Sequence, residues 1–501
     1  MRRARIGAAA ASMVVAACAQ PTSEHARDQW LWHTLVLDNQ VFLEREPELA
    51  GGKLAKMSDG PYRFFRGTAA QYARDVMEPG SPGYWPTAFG SEQTRDVALV
   101  GDPHPENIGT FRRADGTMVV DFNDFDGATF GPYDFDLRRL ALGFWVAAEQ
   151  IDRDHAALVA MGEPVEQPLR EGDREALARA VVTGYVDEIA RAASEPGPGL
   201  VLSDAEAAGV VLGTLLEGAI EDGDAQEKLE DYTRVEDGVR RMIYGDVEAP
   251  RTLELGREPQ VIYEDTMRRL GARERTLVTE LLARYADSRD GIDPQALRLK
   301  GSARRLGAGV SSYPVARYYL LVEGDSEAVE DDVLLELKQV LDPVPMPGLL
   351  RYPSRPFSTN AERVVGMQRA LQAFDDDDPW LGWAVVGDDG YRVRWRSGYQ
   401  RGVQVPDLSR DLADDDLVPD DLVVFAELAG RLLARSHGRA PKGDGTPAAP
   451  AIAAAIGDDG QGLVEEVMAF VDAYAPRVLA DHAAFVELLE AHGPRLGYRR
   501  R

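Results

Sequence analysis

Residues 98–139 read ALVGDPHPENIGTFRRADGTMVVDFNDFDGATFGPYDFDLRR. Within them, Asp102 and Asn107 stand five apart in the loop GDPHPEN, and the strand-like run Met118-Val119-Val120 then delivers Asp121 and Phe122. This is the layout of a phosphoryl-transfer site, in which one aspartate accepts the proton of the attacking hydroxyl while an asparagine and a second aspartate hold magnesium against nucleotide phosphates. On that reading Asp102 is the base, and Asn107 and Asp121 are the metal ligands. The set suits Mg²⁺, a hard ion that takes oxygen ligands and only one or two carboxylates from a protein. A lone D-x-x-x-x-N carries little weight, because Asp, Asn, Gly and Pro are the commonest loop residues. His104, two residues after Asp102, and the acidic motif GPYDFDL at 131–137, where a helix begins, make the compound pattern more specific. A calcium loop is the competing reading of DFNDFDG. It fails on register, because an EF-hand needs Asp or Asn in fifth place and Gly in sixth, where this chain has Phe125 and Asp126.

A length of 501 residues suits two or three domains or one large two-lobed enzyme, and 44% hydrophobic residues suit a globular chain. The net charge is −28. Such a surface repels nucleic acid and anionic lipid, so a nucleic-acid partner is not expected. The Asp-rich runs near 375–378 and 413–416 read as solvated loops. The N-terminus reads as a targeting segment, with Arg2, Arg3 and Arg5 ahead of a short apolar run from Ile6 to Ala17. About a dozen residues are too few to span a bilayer as a helix. The run closes on Val15-Ala16-Ala17-Cys18, which resembles a bacterial lipobox, and Cys18 is the one cysteine of the chain. Lipidation at Cys18 and ordinary secretion with cleavage nearby are the two readings. A single cysteine excludes an intramolecular disulfide.

The pattern divides the chain into a signal segment at 1–18, a polar tether at 19–29, a catalytic-loop segment and helical lobe at 30–290, a β-rich nucleotide lobe at 291–400, and a helical segment at 401–501. Residues 30–48 and 136–151 show helical spacing, and 173–290 read as mostly helical. Beyond 297 the character changes to β-rich runs with Gly turns. A hairpin is expected across Arg305 to Glu323, a strand at Val333–Val340, a helix over STNAERVVGMQRALQAF, and two strands at Trp383–Val386 and Tyr391–Trp395.

Gly307, Gly309 and Ser311 belong to a Gly-rich turn between two strands, as in a kinase phosphate-covering loop. A Rossmann site differs, because its glycines open a helix. Lys338 on the next-but-one strand would hold phosphates, and Glu362 on the following helix would hold Lys338. The plainer readings are a solvated strand lysine and a first-turn helix glutamate favoured by the dipole. In an ordinary kinase these elements precede the catalytic loop, whereas here they follow it by some 200 residues. Circular permutation reconciles the order, since it moves termini without moving a site. An upstream lysine, Lys53 or Lys56, is the alternative phosphate ligand.

The segments FFRGTA, GDPHPENIG, DFNDFDGATFGPYDFDLRRLA, RLGAGVSSYPVARYYLLVEG, LELKQ, ERVVGMQRALQ, LGW and LARSHGR occur in that order. Together they resemble the bacterial domain-of-unknown-function 2252 family, from about residue 30 to about 490. Their catalytic segment resembles aminoglycoside phosphotransferases and other protein-kinase-like small-molecule kinases. That second resemblance implies an α+β, two-lobed, circularly permuted kinase-like fold with large helical additions, and Mg²⁺ and ATP as cofactors. It also implies that Asp136 braces the catalytic loop through backbone N–H groups. Those enzymes usually carry His two residues before the catalytic Asp, where this chain has Val100. His104 stands where protein kinases usually have Lys, which tilts the acceptor toward a small hydroxylated molecule. Arg66 has no kinase counterpart and reads either as a phosphate ligand or as a structural ion pair.

The leading expectation is an envelope lipoprotein, anchored to the membrane through Cys18, whose kinase-like domain binds Mg-nucleotide and phosphorylates a small molecule. Export conflicts with a supply of ATP, so two other readings stay open. One is a non-catalytic ligand-binding lipoprotein on the same scaffold; the other is a metal-dependent phosphohydrolase. Cys18→Ser is expected to convert a membrane-attached protein into a soluble exported or signal-retained one, scored by partition between membrane and soluble fractions. Unchanged partitioning counts against lipidation.

Overall fold

The computed structural model describes residues 24–499 except 114, 196–199, 222, 225, 290–296, 325, 342–356, 374–377 and 379. The signal segment with Cys18 lies outside the described residues. The expected tether is shorter than read, because a helix already begins at Glu24 and runs to Arg45.

The strands in chain order are β1 (Val97–Leu99), β2 (Ile108–Arg112), β3 (Met118–Phe122), β4 (Thr129–Gly131), β5 (Thr233–Glu236), β6 (Val239–Met242), β7 (Gly245–Glu248) and β8 (Arg251–Leu255). They continue with β9 (Glu258–Ile262), β10 (Asp265–Arg269), β11 (Leu299–Leu306), β12 (Arg317–Val322), β13 (Val333–Val340), β14 (Gly382–Val386) and β15 (Asp389–Trp395). Seven form one antiparallel sheet in the order β14-β15-β13-β12-β11-β10-β7, and the other strands pair as short two-stranded ribbons. The class is mixed α+β, as expected.

Strand alternation explains what the sheet does. Successive side chains point to opposite faces. Tyr318, Leu320 and Val322 of β12, Leu335 and Leu337 of β13, and Tyr391 and Val393 of β15 share one core with Leu281 and Tyr285 of the helix Ala272–Asp287. Tyr319 and Leu321 face the other way, against Leu229, Tyr232 and Met242. On that second face the row Arg317, Lys338 and Arg392 is in direct cross-strand register.

The larger core is helical. The helix Tyr133–Met161 is buried at every residue from Tyr133 to Glu149, so neighbours cover it all round, as a helix apolar on all faces requires. Its charged first turn, Asp134 and Asp136, still sits inside because each carboxylate finds partners. The helix Asn360–Leu371 follows β13 as read, with the Thr359 side chain accepting from the Glu362 N–H at its start. Among the described residues, no helix is long and apolar enough to cross a membrane.

One expectation fails. Residues 233–269 are six strands rather than helix, and β7 and β10 join the sheet. The missed signal is Asp237-Gly238 between β5 and β6. Both have positive φ, 52° and 75°, which is the two-residue turn that Asp-Gly favours in hairpins.

The two ends of the described chain pack together. Trp32 stacks on His492 at 4.4 Å and donates from Nε1 to the Leu496 carbonyl. Arg27 is buried between Asp75 and Asp481, at 2.6 and 2.5 Å, and the Tyr474 hydroxyl donates to Asp75 at 2.7 Å. Removing one partner of a buried ion pair leaves an uncompensated charge. Arg27→Ala is therefore expected to destabilise the chain by about 3–5 kcal/mol, read as a lower urea midpoint. A change under about 1 kcal/mol, the range of an exposed pair, would contradict this account.

Candidate functional site

A cleft of about 1050 Å³ runs between the charged face of the sheet and the loops around Asp102. Ten Lys or Arg and eight Asp or Glu side chains line it. The cleft is thus slightly cationic in a protein of net charge −28.

The loop from Val100 to Asn107 forms one wall. Asp136 fixes it from below: its carboxylate accepts the backbone N–H of Val100 at 2.7 Å and of Gly101 at 3.1 Å. His437, at the end of the helix Pro419–Arg439, faces Asp136 through Nε2 at 3.3 Å and Tyr185 Oη through Nδ1 at 2.8 Å. A carboxylate only accepts, so the Nε2 contact to Asp136 is made by an N–H of the ring. Gly101 is required at its place. Its φ is +91°, and a Cβ there would meet the Gly127 carbonyl at 2.1 Å.

Asp102 lines the cleft and accepts from Arg139 Nε at 2.8 Å. Arg139 is itself held by the Phe65 carbonyl and lies 3.5 Å from the Phe65 ring centre. Burial raises the Asp102 carboxyl above its ordinary value despite Arg139, which makes it a stronger base than a solvated aspartate. Asn107 also lines the cleft, and its amide donates to the Asp102 carbonyl at 2.8 Å. His104 is buried at the same wall with no partner on Nδ1. Burial, then Arg66 and Arg139, hold it well below its ordinary value, so the ring is neutral at pH 7. Arg66 lines the same cleft and pairs with Glu106, whose other oxygen accepts the Val405 N–H at 3.1 Å.

Asp121 does not reach the cleft. It is 1% exposed, and its oxygens accept the N–H of Phe122 at 2.8 Å and of Ala373 at 2.6 Å, with Arg439 at 3.5 Å. It ties the end of β3 to the end of the helix Asn360–Leu371, a structural role in place of the expected metal role. Asp124 and Asp126, in the next turn of the same segment, line the cleft instead.

Lys338 does line the cleft, but its partners differ from the expected one. It pairs with Asp126 and, at 3.3 Å, with Asp124. Glu362 lies outside the cleft and binds the Ser358 N–H at 2.8 Å and the Ser358 hydroxyl, a helix-start role. Gly309 and Ser311 border the cleft as a Gly-rich rim should. Gly307 does not; it turns the chain at φ +99°, where a Cβ would meet the Glu264 carbonyl at 2.3 Å. Lys56 braces that turn, donating to the Gly307 carbonyl and pairing with Glu264 at 2.7 Å. Lys53 stands apart, donating to Asn39 Oδ1, and burial lowers it to about 8.

Behind Lys338, the fully buried Glu336 accepts from Arg317 at 3.0 Å, Arg394 at 2.9 Å and Arg392 at 3.4 Å. Burial alone would raise its carboxyl; Arg317 and Arg394 foremost hold it well below the ordinary value. Asp124 is lowered in the same way, against burial, by Lys338 and then Arg392. Sequence reading passed over this cluster. Its signal was the charged i, i+2 pairs Glu336/Lys338 and Arg392/Arg394 in otherwise apolar strands.

Among the described residues, no three His, Cys, Asp or Glu side chains form a preassembled metal cluster. Asn107, Asp124 and Asp126 nevertheless offer oxygen donors to one cleft. Asp126 Oδ1 is buried without a hydrogen bond, with Arg392 Nη1 standing 3.8 Å from it. That donor chemistry fits a hard cation.

Residues 45–488 match the family described as "Uncharacterized protein conserved in bacteria (DUF2252)". The chain belongs to the DUF2252 family. No curated protein and no solved structure shows a match. The match covers both walls of the cleft, so every site residue described above belongs to the DUF2252 region.

Glu336→Gln in this DUF2252 protein is expected to cost about 3–5 kcal/mol at pH 7, because three buried guanidinium groups lose their anion. A carboxyl with a depressed folded pKa stabilises fully above its unfolded value, near 4.3. That stability is lost as pH falls toward the folded value. The deficit of the variant should therefore be constant from about pH 5 upward and narrow below about pH 4, as read by urea unfolding at each pH. A deficit independent of pH would overturn the assignment.

Proposed function

We propose that this DUF2252 protein is a phosphoryl-transfer domain of permuted kinase-like architecture that binds a magnesium-bound phosphate donor, ATP being the first candidate, and phosphorylates a small hydroxylated molecule. One observation carries the proposal. The cationic row Arg317, Lys338 and Arg392 faces the Asp102 and Asn107 loop and the Asp124 and Asp126 carboxylates across a single cleft rimmed by Gly309 to Ser312. Phosphoryl transfer is catalysed mainly by positioning and charge stabilisation. It needs cations for the phosphates, oxygen donors for a metal, and a base for the acceptor hydroxyl.

The order of elements supports the reading. The Gly-rich turn lies between β11 and β12, the lysine on β13, and a helix before the β14–β15 hairpin. The adjacency of the two ends of the described chain supports permutation. In this scheme Asn107, Asp124 and Asp126 would hold the magnesium ion, which supplies charge neutralisation at the phosphates. Lys338 and Arg392 hold phosphate oxygens. Asp102, raised in basicity by burial and oriented by Arg139, takes the acceptor proton. His104, neutral and beside the loop, is a hydrogen-bonding group for the acceptor. Only nine residues separate Asp121 from the GPYDFDL motif, too few for a segment that also positions a peptide. The acidic surface favours aminated or neutral polyols as acceptors. Export and lipidation at Cys18 belong to the same proposal.

Thermal-shift titration of Mg-ATP and a coupled assay against a polyol panel test it. Asp102→Asn should spare binding and abolish transfer. Lys338→Met and Asp124→Asn should each weaken binding about tenfold or more, as expected for loss of a charged contact. Wild-type binding by both Lys338→Met and Asp124→Asn would refute the roles assigned to those residues, wild-type turnover by Asp102→Asn would refute its role as base, and binding without turnover by the unmodified chain would identify a non-catalytic ligand-binding protein.

A further inference from the structure

We infer that the phosphate ligand of this cleft is a linear condensed phosphate, recognised along the sheet without a nucleobase. The inference deepens the proposed phosphoryl-transfer reading and rests on its binding half.

The observation is an excess of buried cations continuing past Lys338. Arg392 lines the cleft with 2% of its side chain exposed, yet its Nε and Nη1 have no hydrogen-bond acceptor. Arg396, also on the cleft, leaves Nε unpartnered. Arg394 is lowered to about 10, first by burial and then by Arg392, Arg396 and Arg317, with Glu336 alone pulling the other way. Buried donors without acceptors each cost free energy. A bound anion removes that cost.

The shape of the cluster selects among anions. Arg392, Arg394 and Arg396 follow one edge of β15 and its exit, and four residues of strand span about 13 Å. That length exceeds one phosphate group and suits a chain of several. Guanidinium forks match phosphate oxygens two at a time. A nucleobase, in contrast, needs an aromatic or apolar platform on which to stack. Next to Lys338 on the cleft face of β13 stands Glu336, sealed by Arg317 and Arg394. Along this row the cleft presents guanidinium groups and carboxylates, whereas its aromatic lining residues Tyr62, Phe111 and Phe135 stand on other elements.

Calorimetric titration of the full-length chain with sodium tripolyphosphate, ATP and orthophosphate, each with Mg²⁺ at physiological ionic strength, tests the inference. Tripolyphosphate should bind at least as tightly as ATP and about tenfold or more tighter than orthophosphate. Arg396→Gln leaves the hydrogen bonds of the Glu336 cluster in place, because among the described residues the Arg396 side chain bonds to Gln400 and not to Glu336. It should weaken tripolyphosphate and ATP by the same factor, with an unchanged thermal midpoint. ATP binding tenfold or more tighter than tripolyphosphate would overturn the inference while leaving the phosphoryl-transfer reading intact. An Arg396→Gln variant with wild-type tripolyphosphate affinity would do the same. Absence of binding by every probe would refute both.

Discussion

A single buried carboxylate lets the central sheet serve as two kinds of wall. Arg317, Lys338 and Arg392 stand directly opposite one another across three strands, and like charges so placed destabilise a sheet. At about 4 Å and an effective dielectric near 20, such a repulsion is on the order of 4 kcal/mol. Glu336, in the strand between, takes the guanidinium groups of Arg317, Arg392 and Arg394 into one bonded cluster, while Asp124 and Asp126 take Lys338. The apolar residues of the same strands are then free to fill the core against the helix Ala272–Asp287. Without that anion, the alternation that builds the core would drive cations together on the other side.

The opposite wall uses the same device with fewer charges. Asp136 accepts two backbone N–H groups of the Asp102 loop and is closed off by His437 and Tyr185. These partners come from three distant helices, so the geometry of the loop depends on the packing of the helical core rather than on its own sequence. Arg139 connects the two levels: it orients Asp102 while stacking on Phe65 of that core.

Much of this was legible in the residues, and the failures have physical causes. The strand Val333–Val340, the helix after Thr359 and the β14–β15 hairpin follow from local periodicity and turn residues, and they occur as read. The Asp237-Gly238 hairpin was equally legible but was submerged in an Ala- and Glu-rich helical background. Asp102, Asn107, His104 and Lys338 meet at one cleft, because their motifs sit in loops and on a strand face that the fold turns inward. Asp121 and Glu362 do not. Periodicity says which residues share a face of one element, but not which face the next element covers. Asp121 is claimed by the Ala373 N–H and Arg439, which lie about 250 and 320 residues away in the chain. The pairing of Lys338 with Asp126 spans a similar gap, beyond the reach of any local pattern.

That pairing has a thermodynamic consequence. Lys338 and the Asp124 and Asp126 carboxylates neutralise one another when the cleft holds nothing else. A phosphate arriving alone must take the ammonium from its aspartates and leave them exposed to its own negative charge. A divalent cation arriving alone must displace the ammonium. Arriving together, each relieves the other's conflict, since the cation takes the carboxylates and the phosphate takes the lysine. On the proposed function the two ligands would therefore be heterotropically coupled, each raising the affinity of the other by the same factor. Such a cleft would discriminate against either one by itself, with the internal ion pair setting the threshold.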